Sequence, residues 1–339
     1  MSLWLVFESQ GRDKLTMRRS AFAEWAVLLW LFAAQAGCSW VGLRPWRDRP
    51  TPTPEEAAQA QQIIEHAQAA IDRGDVATAE VVLQNEVART PASAVAQQRL
   101  GAVYFLEGRF ADAKACFNRA LKLDPDYVDA IIGLGQVEAQ EGDPESARKR
   151  FETAIEIDPN RTQAHFSLGS VLQIMGQTDP ALAEYFRALE CEPNLAEASR
   201  CIAAIQLSRN QPEQALSRLD RVLEMSADDG EARFLRGRAR LALGHGEPAL
   251  ADLQSAVRAL PGRADIYYHL ALAFEAYHKP AEALSAAQEA LRLAPDFELA
   301  QKLSSRLSIA MAPSGTTRPK KPANAALRPE REGPANPPR

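Results

Sequence analysis

The side chains that most often carry out chemistry in proteins are scattered along this 339-residue chain. No two histidines have the spacing of an HExxH zinc site, and neither a GxSxG nor a GxxxxGK pattern occurs. The sequence therefore predicts no metal, no cofactor and no small-molecule substrate, because the residues needed to bind them do not cluster. The five histidines are His66, His165, His245, His269 and His278.

The four cysteines are also widely spaced, and no CxxC pair is present. Cys116 falls midway along a predicted helix, where we expect a buried, apolar thiol. Cys191 and Cys201 flank one predicted turn, so a disulfide between them is a further alternative, limited by the strict geometry that a disulfide needs.

The elements that must position these side chains follow a 34-residue period, which runs from residue 60 to residue 297 without insertion or deletion. Leucine, alanine and aromatic positions at helical spacing predict two helices in each window, and proline ends the second helix because it cannot continue the hydrogen-bond ladder. A glycine between the helices suits a tight turn. The clearest window, residues 94–127, contains Leu100, Gly101, Tyr104, Gly108, Ala113, Phe117, Ala120 and Pro125.

Two neighbouring glycines, Gly133 and Gly135, superficially resemble a phosphate-binding turn. Both fall at positions where the period already places small residues, so we expect them to serve helix packing instead. The pattern weakens in later windows, where Asn210 replaces the turn glycine and Arg236 occupies a normally apolar position.

The repeated residues resemble the tetratricopeptide repeat (TPR) family. This resemblance implies an all-α fold, a right-handed α-solenoid of helix-turn-helix repeats, with seven repeats over residues 60–297 and a capping helix over residues 298–311. Because the repeats occupy almost all of the chain expected to be ordered, no space remains for a catalytic domain. We therefore expect a protein that is not an enzyme.

The TPR resemblance also implies a partner-binding groove on the first helix of each repeat. The lysine and asparagine clamp of chaperone-binding members and the asparagine ladder of TPR glycosyltransferases are both absent. An apolar groove with aromatic anchors suits an amphipathic helix or an extended apolar peptide, although several of its side chains could instead be buried between helices. The matching groove positions are Ile64, Gln98, Phe105, Ile132, Gln136, Phe166, Gln173, Arg200, Phe234, Arg238, Tyr268 and Leu272.

The N-terminal segment, residues 1–43, has the features of an export signal. Arg18 and Arg19 precede an apolar run over residues 21–34, and Ala36-Gly37-Cys38 follows, which resembles the lipobox of bacterial lipoproteins. The resemblance implies a lipid on Cys38 and a location in the cell envelope, and translation could start at Met17. An ordinary signal peptide, a twin-arginine signal or a single membrane-spanning helix are the alternatives.

The flanking segments differ in charge from the repeats. A proline-rich linker is expected over residues 44–59 and a disordered, basic, proline-rich tail over residues 312–339. Because both ends are basic, the repeat region is more acidic than the net charge of −5 suggests. An acidic surface disfavours nucleic-acid binding, since phosphate neutralisation dominates that affinity.

Taken together, these features predict a membrane-tethered scaffold or adaptor that binds protein or peptide partners in its groove. TPR lipoproteins of similar arrangement act as pilotins or as docking platforms for cell-wall hydrolases. The alternative is a structural protein that self-associates through its terminal repeats.

Overall fold

The computed structural model describes residues 54–311, which contain fifteen α-helices and no strand. Residues 62–311 belong to one compact unit, and residues 54–61 belong to the unit that precedes it. The helices are α1 (Pro54–Asp72), α2 (Val76–Arg89), α3 (Ala94–Leu106), α4 (Phe110–Leu123), α5 (Val128–Gln140), α6 (Pro144–Ile157), α7 (Thr162–Ile174), α8 (Thr178–Cys191), α9 (Ala196–Ser208), α10 (Pro212–Met225), α11 (Gly230–Ala242), α12 (Gly246–Ala259), α13 (Ala264–Ala276), α14 (Pro280–Leu293) and α15 (Glu298–Met311).

Consecutive helices pair into seven repeats, each made of an odd-numbered first helix and an even-numbered second helix, and α15 packs on α14. The all-α solenoid that the sequence predicts is therefore confirmed. The first helix already begins at Pro54, within the expected linker, because proline has the backbone angle of a first helical turn and lacks only an N–H that would be unpaired there.

The turn between the two helices of a repeat requires a left-handed backbone conformation. Glycine supplies it in five repeats, with φ between 73° and 83°. Asn210 in repeat 5 and His278 in repeat 7 replace the glycine, yet both keep a φ of 56°. The tertiary structure thus imposes the turn even where the residue is strained, since side chains with a Cβ rarely adopt this conformation.

The boundary between repeats 5 and 6 lacks the usual proline, and Ala227 stands in its place. The second helix of repeat 5 nevertheless ends at Met225. The next helix is fixed by an N-cap, because the Asp229 side chain accepts a hydrogen bond from the Ala232 backbone N–H at 2.9 Å.

Aromatic rings fill the space between first helices in the early repeats. The Phe117 ring packs against Gly101 of its own repeat and against Gly133 of the next one, where an added Cβ would lie 2.5 Å from the ring. Gly135 stands in the same relation to Phe151. The prediction that these glycines serve packing is confirmed.

The first helices form the inner layer of the array. Successive first helices contact each other at α3–α5, α5–α7, α9–α11 and α11–α13, whereas no two second helices within residues 54–311 make a comparable contact. The array therefore curves with the first helices on its concave face. The pair α7–α9 makes fewer close contacts than these four pairs, and α8 contacts α9 less than other second helices contact the next first helix, so repeats 4 and 5 pack less closely.

Candidate functional site on the first helices

The predicted groove residues divide into three classes by exposure. Seven are half-buried and Gln173 is exposed, so these eight are accessible from the concave face. Four are buried, and for these the expectation of direct partner contact is corrected. The half-buried residues are Phe105, Gln136, Phe166, Arg200, Arg238, Tyr268 and Leu272, and the buried ones are Ile64, Gln98, Ile132 and Phe234.

The physical reason for this correction is that neighbouring first helices cover these positions. Ile132 is 4% exposed and belongs to the core that continues into repeats 4 and 5. Phe234 is 2% exposed and lies beneath two arginine side chains, with its ring centre 5.5 Å from Arg238 and 5.0 Å from Arg263. These side chains support the face from below.

In repeat 4, three side chains are held together on the concave face. The Phe166 and Tyr185 ring centres are 5.8 Å apart. The Tyr185 hydroxyl donates to the exposed amide oxygen of Gln173 at 2.9 Å. Burial raises the pKa of Tyr185, so the hydroxyl remains a donor at neutral pH. Phe166 and Gln173 are thus fixed as a neighbouring apolar and polar contact.

A cavity of about 560 Å³ lies beside Phe166, at the edge of this face. Its charged lining consists of Arg161 and the carboxylates of Asp158, Glu192 and Glu197. Arg161 is engaged in an ion pair with Asp129 of the preceding repeat, so the free charge at this edge is mainly acidic.

Repeats 6 and 7 present a different surface, built from aromatic rings and one half-buried cation. The Tyr268 ring centre is 5.2 Å from both His269 and Phe297. Arg238 makes no hydrogen bond to a carboxylate among the described residues, and burial lowers its pKa. Its guanidinium is therefore available to donate hydrogen bonds to a carboxylate or carbonyl oxygen of a partner.

Ion pairs along the concave edge link successive repeats, and they were not anticipated from the sequence. Arg200 pairs with Asp229, and Arg263 pairs with Glu231. Arg200, a predicted groove residue, is therefore already engaged within the protein. The signal for these pairs is an arginine and an acid about one repeat apart, which is visible only once the repeat register is known.

A second unanticipated network explains Arg236 at its normally apolar position. Its side chain leaves the concave layer and donates to Asp252 at 2.7 and 2.9 Å and to Asp220 at 2.9 Å. Arg240 donates to the same Asp252 at 2.8 Å. The buried carboxylate of Asp252 thus ties α11 to α12, and Asp220 extends the network to α10.

The histidines and cysteines have structural positions. His165 is buried, with Nδ1 2.7 Å from a Glu184 carboxylate oxygen and Nε2 2.9 Å from the Pro159 carbonyl oxygen. Cys116 is buried as expected, and burial raises the pKa of its thiol. Cys191 and Cys201 are both free thiols, so the alternative of a disulfide is not realised. Within residues 54–311, no three potential metal ligands converge.

Predictions for the two ends fall on residues that the structure does not describe. These are the export signal with Cys38, most of the linker and the basic tail. Across residues 54–311, none of the helices combines the length and apolar character needed to cross a bilayer.

Comparison with known families and structures gives a consistent result. Two family models, both described as "Tetratricopeptide repeat", match the chain: one over residues 70–135 and 104–165, the other over residues 203–262. No curated protein matches the chain.

Among solved structures, the chain is similar to one in the Cut9–Hcn1 hetero-tetramer of the APC/C (TM-score 0.64, 18% identity, 72% of this chain and 48% of that one). It is also similar to pilF of Pseudomonas aeruginosa (TM-score 0.59, 18% identity, 65% of this chain and 99% of that one). A third similar structure is a tetratricopeptide repeat protein from Parabacteroides merdae (TM-score 0.50, 16% identity, 74% of this chain and 99% of that one). The match spans about half of the Cut9–Hcn1 chain. At these identities the likeness establishes the fold alone.

Proposed function

This chain is a tetratricopeptide repeat protein, and we propose that it is a non-catalytic adaptor, tethered in a bacterial cell envelope, that holds protein partners on its concave face. Proteins of this family are generally non-catalytic scaffolds that bind proteins or peptides. The chain is accordingly a protein–protein interaction scaffold. What we propose beyond this is that the chain is tethered to a membrane and that its partners bind in the concave groove.

The observation that carries the groove is a row of accessible aromatic side chains on the first helices. Phe105, Phe166 and Tyr268 are half-buried, so each is fixed by its neighbours while part of its ring remains open. Polar contacts stand beside them, with Gln173 in repeat 4 and Arg238 in repeat 6. Rigid aromatic anchors flanked by polar groups are the usual composition of binding hot spots.

A double substitution, Phe166→Ala with Tyr268→Ala, tests the groove. We expect capture of the partner from cross-linked membranes to fall at least about tenfold, because each side chain supplies a hot spot. Val81→Ala is the matched control, since it removes an exposed apolar side chain from a second helix. Urea denaturation checks that both variants remain folded. Equal capture by the double variant and the control would contradict groove binding.

The tether is supported by the sequence before the repeats. A pair of arginines, an apolar run over residues 21–34 and Ala36-Gly37-Cys38 together resemble a lipoprotein precursor. Mass spectrometry of the mature N-terminus tests this assignment. A lipidated Cys38 is the expected result, whereas a soluble protein that begins at Met1 or Met17 would overturn it.

A second candidate function, self-association through the last helix, is favoured by one observation. The outer face of α15 exposes Leu299, Met311 and above all Ile309, which is 77% exposed. Light scattering of the full chain at several concentrations separates the candidates. Self-association predicts a mass that rises with concentration and returns to the monomer value in Ile309→Lys. A constant monomer mass excludes it.

A further inference from the structure

A cleft opens on the outer layer where repeats 4 and 5 pack less closely. It lies between α8 of repeat 4 and α10 of repeat 5, has a volume of about 1000 Å³, and reaches α9 at its floor. At this junction the first helices, α7 and α9, make fewer close contacts than the pairs α3–α5, α5–α7, α9–α11 and α11–α13. The cleft is therefore a consequence of how repeats 4 and 5 pack.

One wall of the cleft is apolar. Phe186 on α8 is 39% exposed and Met225 on α10 is 52% exposed, although both are large hydrophobic side chains. Val222 and Leu189 lie alongside them in the lining. Such a surface gains free energy when an apolar side chain covers it.

The other wall carries two arginines whose charge is not neutralised by neighbours. Within residues 54–311, neither Arg218 nor Arg221 makes an ion pair. They stand three positions apart on α10, so their charges repel across one helical turn. Burial, and to a smaller extent Arg221, lowers the pKa of Arg218. The Arg218 guanidinium lies 5.3 Å from the Phe186 ring centre, which joins the charged wall to the apolar one.

The carboxylates around this cleft do not supply the missing charge. Glu190, Glu213 and Glu224 belong to its lining, but all three are exposed and none is within ion-pair distance of either arginine. Solvent therefore screens them, whereas Arg218 is half-buried and poorly hydrated. Binding of a carboxylate beside these arginines is therefore favoured, and binding of another cation there is disfavoured.

Two buried polar atoms in the lining of the cleft have no hydrogen-bond partner. Gln206 is 8% exposed, and its Oε1 atom has no hydrogen-bond partner. The Nε of Arg218 is likewise buried and unpaired. Gln206 needs a donor and Arg218 needs an acceptor, and a peptide unit offers one of each. Both side chains belong to the lining of the cleft.

We propose that this cleft is a second docking site, separate from the concave groove, for an extended peptide that carries a carboxylate next to an apolar side chain. The carboxylate lies between Arg218 and Arg221, the apolar side chain covers Phe186 and Met225, and the peptide backbone pairs with Gln206. A protein that used both surfaces would hold two partners at once.

The probe is the acetylated and amidated tetrapeptide Glu-Phe-Glu-Leu, compared with its Gln-Phe-Gln-Leu and Lys-Phe-Lys-Leu analogues by calorimetry on the full chain. We expect the acidic peptide to bind at least about tenfold more tightly than either analogue, because only it neutralises the two arginines. Absence of binding at millimolar concentration, or equal binding of all three peptides, would overturn the proposal.

Variants then locate the site. Arg218→Gln should weaken the acidic peptide about tenfold and the exposed Arg221→Gln about threefold, whereas Arg258→Gln, an exposed arginine on α12, should change nothing. Hydrogen exchange should show protection by the peptide in α8 and α10. Unchanged affinity in both cleft variants, loss of affinity in Phe166→Ala with Tyr268→Ala, or protection confined to the first helices would each reject the cleft.

Discussion

The junction between repeats 2 and 3 and the junction between repeats 4 and 5 show two ways to join the same helix pairs. In the first, the Phe117 ring nests between Gly101 and Gly133, and the first helices α3 and α5 touch. In the second, Tyr185 packs against Gly169, but Cys201 stands where the second glycine would be, and its side chain meets the tyrosine hydroxyl. The first helices α7 and α9 make fewer close contacts, and a cleft opens behind them.

The two junctions differ in the residue that faces the aromatic ring from the next repeat, which is Gly133 in the first and Cys201 in the second. Glycines on both sides allow close approach of the helices, which buries more apolar surface per repeat. Where Cys201 replaces that glycine, at the junction between repeats 4 and 5, the array keeps its fold and an accessible cleft lies on the outer layer. A site for a partner can therefore arise from imperfect repetition.

The largest expected effect comes from removing the ring at the tight junction. Phe117→Ala should lower the free energy of unfolding by about 3–5 kcal/mol, because the ring is 1% exposed and leaves a cavity. Leu219→Ala, at the same position of repeat 5, should cost about 2–4 kcal/mol, since fewer atoms are lost. Urea denaturation measures both. A larger loss at Leu219 than at Phe117 would show that the size of this side chain does not set its contribution to stability.

Repeats 5 and 6 are joined by a charge network in addition to apolar packing. Asp252→Ala should lower the free energy of unfolding by about 2–3 kcal/mol, because Arg236 and Arg240 lose a buried carboxylate partner. Glu289→Ala, which removes one partner of an exposed ion pair on α14, serves as the matched control and should have no measurable effect. Equal effects of the two substitutions would show that the Asp252 network does not stabilise this half.

Acid should weaken the C-terminal half before the N-terminal half through His269. Burial lowers the pKa of His269 below its ordinary value of 6.5, so the folded state binds fewer protons than the unfolded state. Its contribution to stability is complete above pH 6.5 and is lost as the pH falls from there through the folded-state pKa.

Arg238 and Asp265 are the charged groups acting on this ring, the first opposing protonation and the second favouring it. Denaturation at pH 7.5 and 5.0 should show less acid sensitivity in His269→Gln than in the natural chain. The same acid sensitivity in both chains would exclude His269 as the cause.

The smallest expected effect concerns the two strained turns. Asn210→Gly and His278→Gly should each raise the free energy of unfolding by about 0.5–1 kcal/mol, because glycine adopts a φ of 56° without strain. Thermal unfolding of each variant, with Asn118→Gly inside α4 as a destabilised control, measures the gain. A loss of stability at residues 210 and 278 would mean that these side chains contribute more than their strain costs.

Much of the fold could be predicted from spacing, because each helix pair is specified locally. Gly108 and Pro125 bound the second helix of repeat 2, and the structure places that helix between them. The burial of Phe234 could not be foreseen in the same way. In repeats 2 to 7 three residues of its column are buried and three are half-buried, and only the closeness of the neighbouring first helices decides whether a given side chain is covered.

The sequence alone determined the number of repeats, their turns and the packing role of Gly133 and Gly135, since these depend on contacts within one repeat or with the next. The tertiary structure decided what lies between repeats: the partners of Arg236, the engagement of Arg200 by Asp229, and the gap between α8 and α10. These features depend on distances between helices that are far apart in the chain. All the side chains that pack at a junction together set the distance between its helices. The residue type at one position of the repeat therefore does not predict that distance.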